Sequence, residues 1–568
     1  MTKTSPVIVF GTYDALGYKQ DVTLASSFTL QSFSKINDLK MHARGDLQAY
    51  ATFEPDFWLL DGSLKIKPED DTKVHVGIMG TAQTDVTRAF PSDPVLTCTF
   101  SSARNTDGLI FYFDDRTNDY ASGIQIEYYN ASNTLIRSDE YSPAATTFST
   151  NQAVTAVKKI IITFTSTNKP YRYLRLLDID FANGTYFAGD EIKDCKVIEE
   201  IDPVSVELPA GSLDFRLFTT NPQFSIIEPA GGYTLLQYKQ PLYVYEGVDD
   251  VLGLIGKFFV DNWKNVTERE ITIHAIDTIG VCDTIQFLGT RAGEQAGQLL
   301  SNKLLTPNSI PYTIDASLQT VNVTGVIPIC SVRDALKLMT IAIGGYAYCA
   351  RSGVINIVPI ELASDIVTPD YTITSAEKGV KQSLELSPLV TGVEMTSHNY
   401  DYGGVSTLVF SGTLGIGDHY IIFDAPKYNG NMTITGATEV TSNINYVLVN
   451  VAAPGTVTVT IENLSNYSRQ KGIYNTGLTD VLANVVKIEE ATLVKDSVLD
   501  AITQRVYDYY QQRYLQHLTL FAPSAKVGDT VYIDTYNSRR LAGIIERMEL
   551  DLSGGFVVKA DIRGIVLP

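Results

Sequence analysis

The chain has 568 residues, of which 44% are apolar and 19% charged, and its formal net charge is −20. That length predicts roughly three to five domains with cores of their own, and the acidic excess argues against a groove that grips phosphate backbones, which needs clustered Lys and Arg. Abundant tyrosine (32) and phenylalanine (23) in a Thr-, Val- and Gly-rich texture predict a mainly β, multidomain protein. No run of about 18 apolar residues occurs, and Met1–Pro6 lacks the apolar segment of a secretory signal, which predicts synthesis in a cytoplasm. Cys98, Cys195, Cys282, Cys330 and Cys349 are odd in number and form no Cys-x-x-Cys pair, so they read as reduced core residues rather than a disulfide framework or zinc site.

Residues 1–85 form an N-terminal β region opening on apolar Val7–Phe10. Contiguous Phe57, Trp58, Leu59 and Leu60 before the turn signal Asp61-Gly62 read as a packed corner. Arg44-Gly45-Asp46 reads as a coincidental tripeptide. Residues 86–200 carry short strands at Val95–Phe100, Gly108–Phe113, Gly123–Tyr129, Lys159–Thr165 and Tyr173–Asp180, the cadence of an antiparallel β-sandwich. Tyr112, Tyr120, Tyr128, Tyr129 and Tyr141 are candidate stacking faces for a cell-surface carbohydrate, although tyrosine is equally a strand former. The loop Asp114–Asp119 groups oxygen donors of the kind calcium takes, but it lacks the Gly and Glu of an EF-hand loop and holds Arg116 among its acids.

Residues 201–290 return to longer strands at Val204–Leu208, Leu213–Thr219, Pro241–Tyr245, Gly256–Asp261 and Glu270–Ile276; His274 stands alone among apolar neighbours and reads as a core or interface residue. In 291–365, Leu299, Leu300, Leu304 and Leu305 predict a helix over Arg291–Leu305. Ser331 predicts the N-cap of a second helix, Val332–Ile343, with Asp334 as a weak capping-box partner. Gly344-Gly345 ends that helix, and Tyr346–Cys349 and Val354–Val358 read as a hairpin turning at Ala350–Gly353. Residues 366–490 are β-rich and punctuated by glycines; Asp418-His419 has no nucleophile beside it in sequence. Residues 491–568 open with Asp496 as the expected cap of a helix running from Ser497 to about His517, and close with alternating strands after the Gly528-Asp529 turn.

The stretch Ile329–Ile360, with its short helix, glycine pair and Tyr-x-Tyr-Cys-x-Arg-x-Gly-x-Ile-x-Ile hairpin, resembles the middle of phage tail baseplate hub proteins. In the same order, Asp214–Leu217, Gln237–Gln240, Gly256–Val260 and Ile273–Asp277 resemble the first barrel of that family. Lys526–Val531, Gly543–Arg547 and Asp551–Gly555 resemble its second barrel. The segment around Phe57–Asp61 is more weakly similar to prophage tail proteins of Gram-positive bacteria.

The resemblance implies β-barrels of tail-hub type at 201–290 and 491–568 and a small α/β insertion at 291–365, while the β-rich domain at 366–490 stands outside it as an insert. It also implies a homotrimer joining the tail tube to the tail tip, located in a virion tail assembled in the host cytoplasm. Its implied partners are the tail tube or distal tail protein, the tape measure protein and other baseplate proteins, with DNA only in transit. No catalytic, cofactor or metal residues come with that role. His-Glu-x-x-His, a Gly-x-Ser-x-Gly elbow and a Cys with a plausible His partner are all missing, so no enzymatic activity is expected. The alternative expectation is a tail-tip adhesin that recognises glycan through the 86–200 sandwich.

Overall fold

The computed structural model describes residues 4–40, 49–50, 52, 54–55, 57, 64–65, 77–115, 117–218, 237–248, 251–267, 269–374, 376–475, 477, 483–520, 524–535, 539–553 and 557–567. Trp58–Gly62, Arg44-Gly45-Asp46, Arg116 and Gly554–Phe556 lie outside them. The chain is mainly β, with several antiparallel sheets, and divides into two compact units. One comprises 7–187 with 240–243, the other 1–6, 188–239 and 244–568.

In the 7–187 unit, a five-stranded sheet orders Thr23–Ser26, Val95–Thr106, Val154–Thr167, Ala121–Tyr129 and Leu135–Tyr141 from edge to edge. A second sheet sets Thr147–Ser149, Ile110–Tyr112 and Asp178–Asp180 together. Period-two alternation sends Leu96, Cys98, Phe100, Ile124, Ile126, Tyr128, Ile160, Ile162 and Phe164 inward, where they share one core with Phe111, Ile179 and Phe181. The sandwich also takes in Ala15, Tyr18 and Leu39 from the N-terminal region.

The other unit is built on a continuous sheet. Eight of its neighbouring strands run in the order Val251–Asn265, Glu270–Ile276, Ser212–Phe218, Ile192–Glu200, Arg540–Asp551, Val557–Val566, Tyr514–Leu520 and Lys378–Leu386. Arg540–Asp551 is the joint: its second half pairs Ile192–Glu200, its first half pairs Thr530–Asp534 on the same edge, and Val557–Val566 runs along the other edge. The two regions expected to be separate barrels are therefore parts of one sheet, and among the described strands no ring closes. Gly543 and Gly564 face each other across the last pair. A Cβ on Gly564 would sit 1.9 Å from the Ala542 carbonyl oxygen, so only glycine allows the strands to close here.

The helix Val332–Ala342 forms as its spacing predicts. The Ser331 hydroxyl accepts from Asp334 N at 3.1 Å, and Gly344 takes φ +69° just beyond the helix end. Val332, Ala335, Leu336 and Met339 are fully buried, in a core that also takes in Leu499 and Val506 of the helix Asp496–Tyr510 and Ile355 and Ile357 of the hairpin Gly345–Cys349 / Ile355–Pro359.

Three expected elements differ. Thr290–Gln295 is a strand paired with Asn322–Ile327, and helical structure begins only at Ala296, because Gly293 and Gly297 weaken the helix that the leucines favour. Val204–Leu208 is a turn: Pro203 and Pro209 flank it, and Asp202 accepts from Val204 N at 3.1 Å and from Glu207 N at 2.7 Å. The C-terminal helix stops at Tyr510, since Gln516, Leu518 and Leu520 alternate inward as a strand. Its N-cap position is Lys495, while Asp496 in the first turn accepts from Ser397 Oγ and Asn399 Nδ2.

Between residues 392 and 474 two long strands, Gly392–Leu414 and Gly455–Tyr474, pair along their length with register shifts between Tyr402 and Ser406 and between Leu408 and Phe410. Their distal halves, with Lys427–Thr435, cover a three-stranded sheet of Gly417–Ile422, Tyr446–Val451 and Thr438–Ser442. Ile421, Phe423, Val447, Val449, Val451, Val457, Val459 and Ile461 form a separate core there. Asn443 and Asn445 donate to the Leu288, Gly289 and Ile327 carbonyls and tie this module to the rest of the unit.

Candidate functional surface

Most strands of the continuous sheet alternate buried apolar residues with outward polar or charged ones, so one face is buried and the other is open. Leu213, Phe215, Leu217, Ile271, Ile273, Val197, Met548, Leu550, Val558, Ala560 and Ile562 face inward. Register then brings the outward charges opposite one another across seven neighbouring strands. Arg216 reaches Asp194 at 2.6 Å and Glu270 at 3.9 Å, while His274 Nδ1 and Asp214 Oδ1 lie 2.8 Å apart. Glu549 accepts from Lys196 at 3.2 Å and from Lys559 at 2.7 Å. Arg547 lies 3.7 Å from Glu200 and 3.9 Å from Asp561, and His517 links Asp561 (2.6 Å) to Glu385 (3.7 Å).

Most of these groups are a third or more exposed, so each pair adds at most about 1 kcal/mol. What they give is an open, mixed-charge wall whose paired groups comprise seven carboxylates, four Lys or Arg side chains and two histidines. The wall ends where the helix Asp496–Tyr510 covers the sheet. There Tyr509 and Arg563 both donate to Glu546, Arg563 Nε at 2.9 Å, and burial pushes the Glu546 carboxyl above its ordinary range.

Beside the joint strand, Arg351 holds Glu199 through two guanidinium nitrogens, at 2.8 and 3.0 Å, and donates to the Ala525 carbonyl at 2.9 Å. The adjacent recess, lined by Glu199, Gly211, Asp277, Arg351 and Val527, has room for little more than a water molecule, about 20 Å³. Asp277 is fully enclosed there. It accepts from Gly211 N (2.7 Å) and Gly280 N (2.9 Å), and burial pushes its carboxyl up to about 6.

The residues singled out in sequence are dispersed. His274 stands on the open face rather than in a core. Tyr128 is fully buried, Tyr120 and Tyr141 pack against the sandwich core, the Tyr112 hydroxyl donates to Asp180 at 3.2 Å, and Lys159 Nζ sits 4.4 Å above the Tyr129 ring. No exposed platform gathers them. Asp119 is engaged by Lys169 (3.0 Å) and Arg172 (3.1 Å), so two cations already occupy one of the loop's acids. Asp418 and His419 are successive on a strand and point to opposite sides: Asp418 accepts from Asn450, while His419 meets the Gly415 carbonyl. All five cysteines are free thiols, and Cys98, Cys195 and Cys282 are buried. The ionic wall was missed in sequence. Its signal was the charged residue at every second position in stretches such as Leu213-Asp214-Phe215-Arg216-Leu217, a pattern whose meaning depends on which strands become neighbours.

No family model and no curated protein sequence matches the chain. Solved structures with similarity to it include the prophage tail protein gp18 from Listeria monocytogenes (10% identity, TM-score 0.39, covering 68% of this chain and 92% of that one). A tail protein from Neisseria meningitidis is similar at 10% identity and a TM-score of 0.40, covering 66% and 93%. The 43 kDa tail protein of prophage MuSo2 from Shewanella oneidensis is similar at 11% identity and a TM-score of 0.39, covering 67% and 96%. With TM-scores below 0.5, none of these likenesses fixes a shared fold.

Proposed function

We propose that the chain is a structural component of a phage tail or tail-like particle, the baseplate hub that joins the tail tube to the tail tip as a homotrimer. The observation that carries this reading is the ionic wall: one sheet, built jointly from the two regions whose motifs resemble hub barrels, with a buried apolar face and an open, mixed-charge, net acidic face. Such a face suits the lining of a conduit for DNA in transit. Exposed charges keep it wetted, and the excess of carboxylates among the paired groups withholds the counterion-releasing contacts by which basic grooves hold DNA. The role is structural and needs no cofactor, and it places the protein among the tail tube or distal tail protein, the tape measure protein and the other baseplate proteins. The packed tyrosines of the 86–200 region support a scaffold there over a glycan platform.

Light scattering of the purified chain across concentration and salt tests the proposal. A particle of three times the chain mass is expected. A monomer at every concentration, persisting when tail tube protein is added, would overturn it.

A further inference from the structure

The three-stranded sheet of the 392–474 module has apolar side chains on both faces. Ile421, Val447, Val449 and Val451 face inward and are buried. On the outward face, register places Ile422 opposite Tyr446, Tyr420 opposite Leu448 and Asp418 opposite Asn450. Tyr420 is 60% exposed, Ile422 57% and Val440 on the neighbouring strand 52%. The Tyr420 and Tyr446 rings lie 5.5 Å apart at 53°, forming a shallow open corner. One step along the face, Asn450 Nδ2 donates to Asp418 Oδ1 at 2.6 Å, fixing an exposed amide and carboxylate beside the rings.

Charge narrows what can cover this face. From Asp401 to Asn463 the sequence holds five acids, one lysine and no arginine. That lysine, Lys427, is buried and reaches Asp424 at 3.3 Å and Asn463 at 3.0 Å. Polyanions, whether nucleic acid, polyol-phosphate polymers or an anionic membrane, find no cation here and meet Asp418 instead. A second copy docked face to face would bring the two Asp418 carboxylates together. An uncharged saccharide meets neither obstacle: the C–H face of a hexose lies on a tyrosine ring, and its hydroxyls bond an adjacent carboxylate and amide.

We propose that the outward face of Gly417–Ile422, Thr438–Ser442 and Tyr446–Val451 is a binding site for a neutral, hexose-based glycan. Tyr420 and Tyr446 serve as the stacking pair, and Asp418 and Asn450 as the hydrogen-bonding pair. The site stands independently of the hub reading, because it uses one copy of the chain and none of the ionic wall.

The test is titration calorimetry of the full chain with cellohexaose, maltohexaose and N-acetylchitohexaose, with heparin as the polyanionic probe. Binding of at least one neutral hexasaccharide is expected. It should weaken tenfold or more in Y420A/Y446A, while Y420F/Y446F, which keeps the rings, stays within threefold. No binding of any neutral hexasaccharide, equal binding by Y420A/Y446A with unchanged circular dichroism, or stronger binding of heparin would each overturn the proposal. So would a variant that leaves sugar binding intact but lowers the mass in solution, since the face would then be an interface between copies.

Discussion

Asp277 shows how a single buried carboxylate writes a pH dependence into the fold. It caps the short helix Thr278–Asp283 and holds Gly211 N, and its enclosure raises its carboxyl from 3.8 to about 6. Because the folded-state value lies above the unfolded one, the unfolded chain releases this proton first as pH rises. Stability therefore falls between about pH 4 and pH 6, by about 3 kcal/mol from this group alone, and is level above that window. Asp277→Asn keeps one of the two acceptor oxygens and removes the titration. In denaturant unfolding at pH 4 and pH 7, the variant is expected to gain stability relative to wild type as pH rises. Gly564 makes a steric counterpart. Gly564→Ala drives a methyl into the Ala542 carbonyl and costs about 3 kcal/mol, read as a lower denaturation midpoint at unchanged slope.

At the scale of elements, the parts that local chemistry determines were legible before any coordinates. Ser331, the Val332–Met339 stripe and Gly344-Gly345 specify the helix and its stop within a few residues of one another, and Gly353, at φ +82°, turns the following hairpin. Ser331→Ala removes the cap bond to Asp334 N and should cost about 1 kcal/mol. Leu499→Ala, at a fully buried position of the C-terminal helix, should cost about 3 kcal/mol. Both are measured by equilibrium unfolding.

What could not be read was decided by distant partners. The strand Thr290–Gln295 exists because Asn322–Ile327 lies beside it, and the helix predicted to His517 gives way because Leu518 and Leu520 fill the inner face of the large sheet. The candidate surface failed to appear in sequence for the same reason. His274 is unremarkable in its own strand and becomes part of a hydrogen-bonded pair only when Asp214 is set opposite it. The tyrosines of 86–200 are likewise indistinguishable in sequence from Tyr420 and Tyr446; the direction in which each strand faces its core separates them.

For the whole molecule, the separate core of the 392–474 module predicts that it can be removed. Deleting residues 404–462 joins Gly403 to Asn463 as a two-residue turn between the paired Tyr402 and Leu464, a geometry that a Gly-Asn corner accommodates. The shortened chain is expected to keep the number of copies per particle and the unfolding transition of the large sheet, and to lose glycan binding, separating the two proposals in one protein. The joint strand also has a consequence for how the chain is made on the ribosome. Ile192–Glu200 finds its partner Arg547–Asp551 about 350 residues later in the chain. At ordinary rates of synthesis that is a wait of roughly 20–70 s with one edge of the strand bare. Throughout that wait the protein carries an unfinished β edge, and its yield in a cell should be governed by chaperones that shield that edge until Arg547–Asp551 emerges.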